Sequence, residues 1–92
     1  MNFLELKESM KGLSGDDAVK ALSEYIESNP NAADLDEALT YRGMKYWGMQ
    51  KRSLAINDYL AAIKLNPQSK AVQALKAAND ILDYYNKDLY NP

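Results

Sequence analysis

The stretch from Ala38 to Pro67 decides the fold of this chain, and it reads ALTYRGMKYWGMQKRSLAINDYLAAIKLNP. It contains two helical patterns separated by a short break at Gly48-Met49-Gln50. Three small residues would let the two helix backbones approach closely, and two aromatic residues would fill the space beside them: Gly43, Ala55 and Ala62, with Tyr46 and Tyr59. A glycine inside a helix costs roughly 1 kcal/mol relative to alanine, so a close helix crossing best explains it. The stretch therefore predicts a helical hairpin.

This spacing resembles the tetratricopeptide repeat, a helix-turn-helix unit of about 34 residues. With Pro67 in the closing-proline position of that repeat, all five small and aromatic residues fall on its signature positions. Three residues depart from the pattern: Leu39 stands where tryptophan is usual, Arg42 where leucine is usual, and Gln50 where glycine is common. The resemblance implies that residues 34–67 form one repeat of an α-α superhelix.

A second copy of the pattern precedes this stretch by a constant offset of 37 residues. The matching pairs are Ala18 and Ala55, Leu22 and Tyr59, Tyr25 and Ala62, Ile26 and Ile63, and Pro30 and Pro67. The first helix fits poorly at this offset, because Leu6 and Ser9 fall where Gly43 and Tyr46 stand. We interpret residues 1–30 as a degenerate repeat.

The full pattern predicts an all-α domain spanning residues 1–92, built from antiparallel helical hairpins with about five helices and no strands. The expected helices cover 2–13, 16–28, a third from Ala33 or Asp36 to Gly48, 51–65 and 69–87. The first helix should bury Phe3, Leu6, Met10 and Leu13. Ser14 followed by Asp17 predicts a capped start for the second helix.

The last helix has no partner helix after it, so we interpret it as a cap that covers the preceding hairpin. Its apolar positions follow a helical rhythm: Ala71, Leu75, Ala78, Leu82 and Tyr85. Residues 86–92 are expected to fray.

Composition narrows the function. The chain has 92 residues, a formal net charge of −2, no cysteine and no histidine. It therefore lacks thiolate and imidazole chemistry, and its charge argues against nucleic acid and anionic membranes as general partners. No apolar run approaches the roughly 18 residues of a membrane span, and residues 1–13 lack a secretory pattern. We expect a cytoplasmic protein without a cofactor.

Two acidic groups could be paired catalytic acids or a Mg²⁺ site: Asp16 with Asp17, and Asp34 with Asp36 and Glu37. The favoured interpretation is that they stabilise the positive ends of helices. An enzyme or an acid-based metal site is thus a distant alternative, and we predict a non-enzymatic protein.

Basic residues cluster around the turn between the third and fourth helices: Arg42, Lys45, Lys51 and Arg52. Four charges attract phosphate weakly at physiological salt, so we interpret them as a solvated rim. The same patch would also suit an acidic segment of a partner protein.

In the family that the chain resembles, the first helix of each hairpin lines a concave groove that grips peptides or a helix of a partner protein. The resemblance implies seven partner-binding positions here: Glu37, Thr40, Met44, Trp47, Ala71, Ala74 and Ala78. The family's clamp for a C-terminal carboxylate is not expected, because Thr40, Tyr41 and Met44 occupy the middle of that surface.

Three alternatives remain open from the sequence. Trp47 either lines the groove or packs in the core. The same apolar face either binds a partner or closes a homodimer, because so short an array has few repeats. The tyrosines of the tail, Tyr84, Tyr85 and Tyr90, could instead fold back into the groove.

Overall fold

The computed structural model describes the backbone of residues 2–90 and the side chains of residues 2–82. This part of the chain forms five α-helices and no strand: α1 (Phe3–Ser9), α2 (Gly15–Ser28), α3 (Leu35–Gly48), α4 (Arg52–Leu65) and α5 (Ala71–Tyr90). The predicted all-α class and the number of helices are confirmed. The helix boundaries differ from the predicted ones by no more than four residues.

The largest differences lie at the ends of the first and last helices. Helix α1 stops at Ser9, and Gly12 then adopts a φ of +85° that favours glycine. Leu13, expected on the buried face, is therefore 43% exposed. Helix α5 continues to Tyr90, three residues beyond the predicted end at residue 87, whereas Asn91 and Pro92 lie outside the described residues. The fold-back of the tail tyrosines concerns side chains beyond residue 82, which also lie outside the described part.

The predicted cap of α2 is present. The backbone N–H of Asp17 donates to Ser14 Oγ over 3.2 Å. The side-chain oxygen of Asn2 caps α1 in the same way, accepting from the Glu5 N–H at 2.8 Å. Both bonds satisfy backbone donors that have no partner inside the first turn of a helix.

The buried side chains form two clusters. The first joins α1, α2 and the start of α3, and contains Phe3, Leu6, Met10, Ala18, Leu22, Tyr25 and Ala38. The second joins α3, α4 and α5, and contains Leu39, Ala55, Tyr59, Ala62, Ala71 and Ala78. Ile26 packs against both clusters and connects them. Residues related by the 37-residue offset have matching environments, since Ala18 and Ala55 are 2% and 0% exposed.

Helices α3 and α4 pack as an antiparallel pair, because the start of α3 contacts the end of α4. Asn66 Nδ2 donates to Asp36 Oδ2 over 3.1 Å, and Arg42 pairs with Asp58 nearer the middle. The two helices approach closely at Gly43, where an added Cβ would lie 2.6 Å from Tyr59 Cε1 and 3.1 Å from the Ala55 carbonyl oxygen. The close approach expected at Gly43 is confirmed.

We expect Gly43→Ala to lower the free energy of unfolding by about 1–2 kcal/mol. Overpacking costs roughly 1–3 kcal/mol and outweighs the gain of about 1 kcal/mol in helix propensity, because a backbone carbonyl cannot move aside. Gly48→Ala is the matched control, since Gly48 ends the same helix and its Cβ would meet no atom within 4 Å. Urea denaturation of both variants measures the difference. Equal stability of the two variants would contradict the close crossing.

Candidate functional site

One face of the protein carries a cavity of about 720 Å³, which we call the main groove. Helices α1, α3 and α5 contribute to its walls, together with the connection between α4 and α5. The residues that line it are Phe3, Lys7, Asp36, Glu37, Thr40, Tyr41, Met44, Asn66, Gln68, Ser69, Lys70, Gln73 and Ala74. The main groove thus combines aromatic and apolar side chains with polar and charged groups.

A smaller cavity of about 230 Å³ lies beside the main groove, and we call it the Trp47 pocket. Its lining is Met44, Trp47, Tyr59, Ala74, Ala77, Ala78 and Ile81, in which the indole nitrogen of Trp47 and the phenol oxygen of Tyr59 are the only side-chain nitrogen and oxygen atoms. Met44 and Ala74 line both cavities, so the two are adjacent. Together they form a continuous surface with a polar part and an apolar part.

The structure brings six of the seven predicted partner-binding residues to these cavities. Glu37, Thr40, Met44 and Ala74 line the main groove, and Met44, Trp47, Ala74 and Ala78 line the Trp47 pocket. Ala71 lines neither cavity, because it is fully buried in the second cluster. Its small size lets the first turn of α5 approach the neighbouring helices.

Thr40 serves packing more than it serves an open surface. Its side chain is 7% exposed, and its Oγ1 donates to the Asp36 carbonyl oxygen over 2.7 Å. Thr40 Oγ1 also lies 3.3 Å from Ser69 Oγ. Ser69 Oγ in turn accepts a hydrogen bond from the Ala71 N–H at 3.0 Å. The Thr40 hydroxyl therefore holds the start of α5 against α3 at the base of the main groove.

Trp47 belongs both to the core and to the surface. Its ring packs against the second cluster and is half-buried, while it also lines the smaller pocket. The guanidinium carbon of Arg52 lies 5.1 Å from the centre of the ring. These contacts hold the indole in place, so it can offer a preformed apolar wall without a large loss of side-chain entropy.

The acidic residues at the start of α3 connect elements of the fold. Asp34 makes no side-chain capping bond; its Oδ1 accepts from the Tyr25 hydroxyl at 2.7 Å and its Oδ2 accepts from the Phe3 N–H at 3.2 Å. The hydrogen bond to Asp34, reinforced by burial, raises the pKa of Tyr25 to about 12. Asp34 thus attaches α1 and α2 to the start of α3. The sequence predicted only that this residue would stabilise the positive end of a helix, and not these two contacts.

Arg42 was predicted to belong to a basic surface cluster, and this is wrong. Its Nε and Nη2 donate to the two oxygens of Asp58 at 2.8 and 2.7 Å, and its Nη1 donates to Ser23 Oγ at 3.1 Å. The side chains of Arg42 and Asp58 are 20% and 8% exposed. The hydrogen bonds to Asp58 raise the pKa of Arg42, so the guanidinium stays charged inside the helix packing.

The described residues contain no group of three or more potential metal ligands, and none of their helices is long and apolar enough to cross a membrane. Every buried side-chain nitrogen or oxygen atom among them has a hydrogen-bond partner. Polar groups able to meet a ligand in this part of the chain are therefore found on the surface, including the rim of the main groove.

The contribution of α1 to the main groove was not predicted from the sequence. Lys7 Nζ lies 5.7 Å from the centre of the Phe3 ring and 5.9 Å from that of Tyr41, whose ring also has Lys45 Nζ at 5.1 Å. The 37-residue offset could have found these positions, because it relates Phe3 to Thr40 and Lys7 to Met44. The poor match of α1 to the repeat pattern hid this relationship.

Fold and cavities define a small all-helical protein with a preformed groove beside an apolar pocket, in the part of the chain that the structure describes. Comparisons with models of known protein families, with curated proteins and with solved structures found no match. The resemblance to the tetratricopeptide repeat stays a prediction that rests on the residues themselves.

Proposed function

We propose that this protein is a non-enzymatic, tetratricopeptide-like interaction module of the cytoplasm, which binds a peptide or helix of a partner protein. The observation that carries the proposal is the position of Met44. This side chain is 54% exposed and lies where the main groove meets the Trp47 pocket. An exposed methionine beside a fixed tryptophan is typical of protein-binding surfaces, where both residue types are enriched.

The arrangement of helices supports the same function. Helices α1, α3 and α5 line the main groove, and they are the first helices of the successive units that the repeat pattern predicts. The resemblance assigns partner binding to this surface. Function is still argued from the site, because one helical repeat scaffold serves many unrelated tasks.

Binding would be passive. A partner segment would bury apolar side chains against Met44 and the Trp47 pocket, while rim groups such as Gln73 remain exposed for hydrogen bonds. Because the walls are already formed by packed helices, little conformational entropy is lost on the side of the protein. Rim charges would set the orientation and the rate of encounter.

Met44→Glu should abolish binding while leaving the fold intact. The change places a charge between the two cavities at an exposed helical position, so the stability should change by no more than about 0.5 kcal/mol. Leu60→Glu is the matched control, because Leu60 is 51% exposed on α4 and lines neither cavity. The assay is selection from a displayed library of random peptides, with enrichment measured by sequencing.

We expect wild-type protein and Leu60→Glu to enrich the same peptides, and Met44→Glu to lose that enrichment at least tenfold, a change of roughly 1.4 kcal/mol or more. If every peptide that the wild type enriches is also enriched by Met44→Glu, the proposal of peptide binding at this groove is wrong. The alternative is that a second molecule of the same protein binds at this groove, and sedimentation equilibrium tests it. A mass that rises with concentration in the wild type, while Met44→Glu stays monomeric, would favour homodimerisation.

A further inference from the structure

We infer that the groove selects partner segments by two features at once: an acidic side chain at the α1 end and a bulky apolar side chain in the Trp47 pocket. This inference rests on the proposed function and names the chemistry of the partner. The acidic feature follows from the placement of three residues that we call the Tyr41 cluster, namely Lys7, Tyr41 and Lys45.

Two ammonium groups converge on one ring in the Tyr41 cluster. Lys7 Nζ and Lys45 Nζ lie 5.9 and 5.1 Å from the centre of the Tyr41 ring. The ion pairs of the described residues are Lys11 with Glu8 and Arg42 with Asp58, so neither lysine of the cluster has a carboxylate within 4.0 Å there. A carboxylate of a partner segment that approaches this ring would meet positive charge that no carboxylate of the described residues pairs with.

The carboxylates at the start of α3 do not neutralise the Tyr41 cluster. Both oxygens of Asp34 accept hydrogen bonds from Tyr25 and Phe3, and Asp36 accepts from Asn66 at the α4 end of the main groove. Glu37 also lines the main groove, and it forms no ion pair within 4.0 Å with either lysine of the cluster. The charged residues that line the main groove, Lys7, Lys70, Asp36 and Glu37, balance in number. Positive charge at the α1 end comes from Lys7, with Lys45 on the same Tyr41 ring outside the groove lining.

The Trp47 pocket supplies the second feature. Its volume of about 230 Å³ falls below the roughly 300 Å³ at which sites for small molecules begin, so a single bulky side chain suits it better than a free ligand. Its walls are alanine, isoleucine, methionine and aromatic side chains, which offer no charge to pair with a polar group. A leucine, methionine or phenylalanine of the partner fits this environment.

The test compares two double variants in the same library of random peptides. Lys7→Gln with Lys45→Gln removes the positive charges of the Tyr41 cluster. Lys20→Gln with Lys64→Gln is the control, because both of these lysines are exposed on α2 and α4 and line neither cavity. The wild type should enrich peptides that pair aspartate or glutamate with leucine, methionine or phenylalanine.

One enriched peptide, made synthetically, then gives the affinity. Trp47 is the only tryptophan and its fluorescence reports binding. Replacing the acidic residue of the peptide by its amide should weaken binding to the wild type about tenfold, as two surface ion pairs allow, and the effect should shrink at high salt. The same replacement should have little effect on the Lys7→Gln, Lys45→Gln variant, since a double-mutant cycle isolates the pairing.

The outcomes separate the two proposals. Enriched peptides without a preference for acidic residues, or with a preference for basic ones, would overturn the selectivity while leaving peptide binding intact. Equal weakening by the two double variants would overturn it as well, because the effect would then come from overall charge. Absence of any enrichment by the wild type over Met44→Glu would overturn the proposed function itself.

Discussion

Replacing Asp58 with alanine is expected to lower the free energy of unfolding by about 2–4 kcal/mol. The carboxylate accepts two hydrogen bonds from Arg42, at 2.8 and 2.7 Å, and is 8% exposed. Its loss leaves a guanidinium that is only 20% exposed without its hydrogen-bonded counter-charge. This loss of stability should not exceed the loss that follows when a fully buried ion pair is broken, because Arg42 keeps some contact with water and a hydrogen bond to Ser23.

Thermal or urea denaturation measures this effect, and a second ion pair of the same chain serves as the control. Lys11 and Glu8 lie 2.9 Å apart with side chains 74% and 63% exposed, so Glu8→Ala should cost well under 1 kcal/mol. Similar losses in Asp58→Ala and Glu8→Ala would show that burial does not strengthen the pair with Arg42.

The double variant Arg42→Leu with Asp58→Ala should be more stable than Asp58→Ala alone. Removing both partners leaves no uncompensated charge, and leucine is the residue that the repeat pattern has at position 42. We expect the double variant to recover at least half of the loss. A further loss on adding Arg42→Leu would mean that the stem of the arginine contributes more through packing than its charge costs.

Leu22→Ala is expected to lower the free energy of unfolding by about 2–5 kcal/mol. Leu22 lies in the first cluster, is 0% exposed, and is the largest side chain that is fully buried among the described residues. Its truncation removes apolar contacts and leaves a cavity between α1, α2 and α3. Around this site the alanines and aromatic rings are packed closely, so only part of the cavity should collapse.

Leu60→Ala provides the comparison at the same residue type in a helix. Leu60 is 51% exposed, so its truncation should cost less than about 1 kcal/mol. Shifted denaturant midpoints with unchanged slopes would show that both substitutions alter stability without altering the surface exposed on unfolding. A small loss in Leu22→Ala would mean that the first cluster contributes little to stability.

Local patterns in the sequence were sufficient for the helices and for one close contact. The period of apolar residues placed all five helices, and the bond between Ser14 Oγ and the Asp17 N–H followed from the residue types at a helix start. Gly43 was informative because a glycine destabilises a helix, and a close helix crossing explains its presence. Tyr59 lies against Gly43, as such a crossing requires. Such features depend on residues that are near in sequence or on a repeat that relates distant ones.

Contacts between distant polar residues could not be predicted in this way. Arg42 and Asp58 are 16 residues apart, and nothing in their spacing distinguishes an internal pair from two surface charges. The same holds for Gln68 and Lys70, which reach the groove from the connection before α5. These residues meet only after the helices have packed, because loops and long side chains follow no hydrophobic period.

The small size of α1 links the shape of the groove to local unfolding. With seven residues, α1 is far shorter than the roughly 12–15 residues at which an isolated helix becomes stable, so it depends on Phe3, Leu6 and Met10 for its place. Its detachment requires less free energy than global unfolding, and it would remove the wall that bears Lys7. A bound segment that contacts this wall must therefore slow hydrogen exchange throughout α1, while a mutation that loosens α1 lowers the affinity by depleting the binding-competent state.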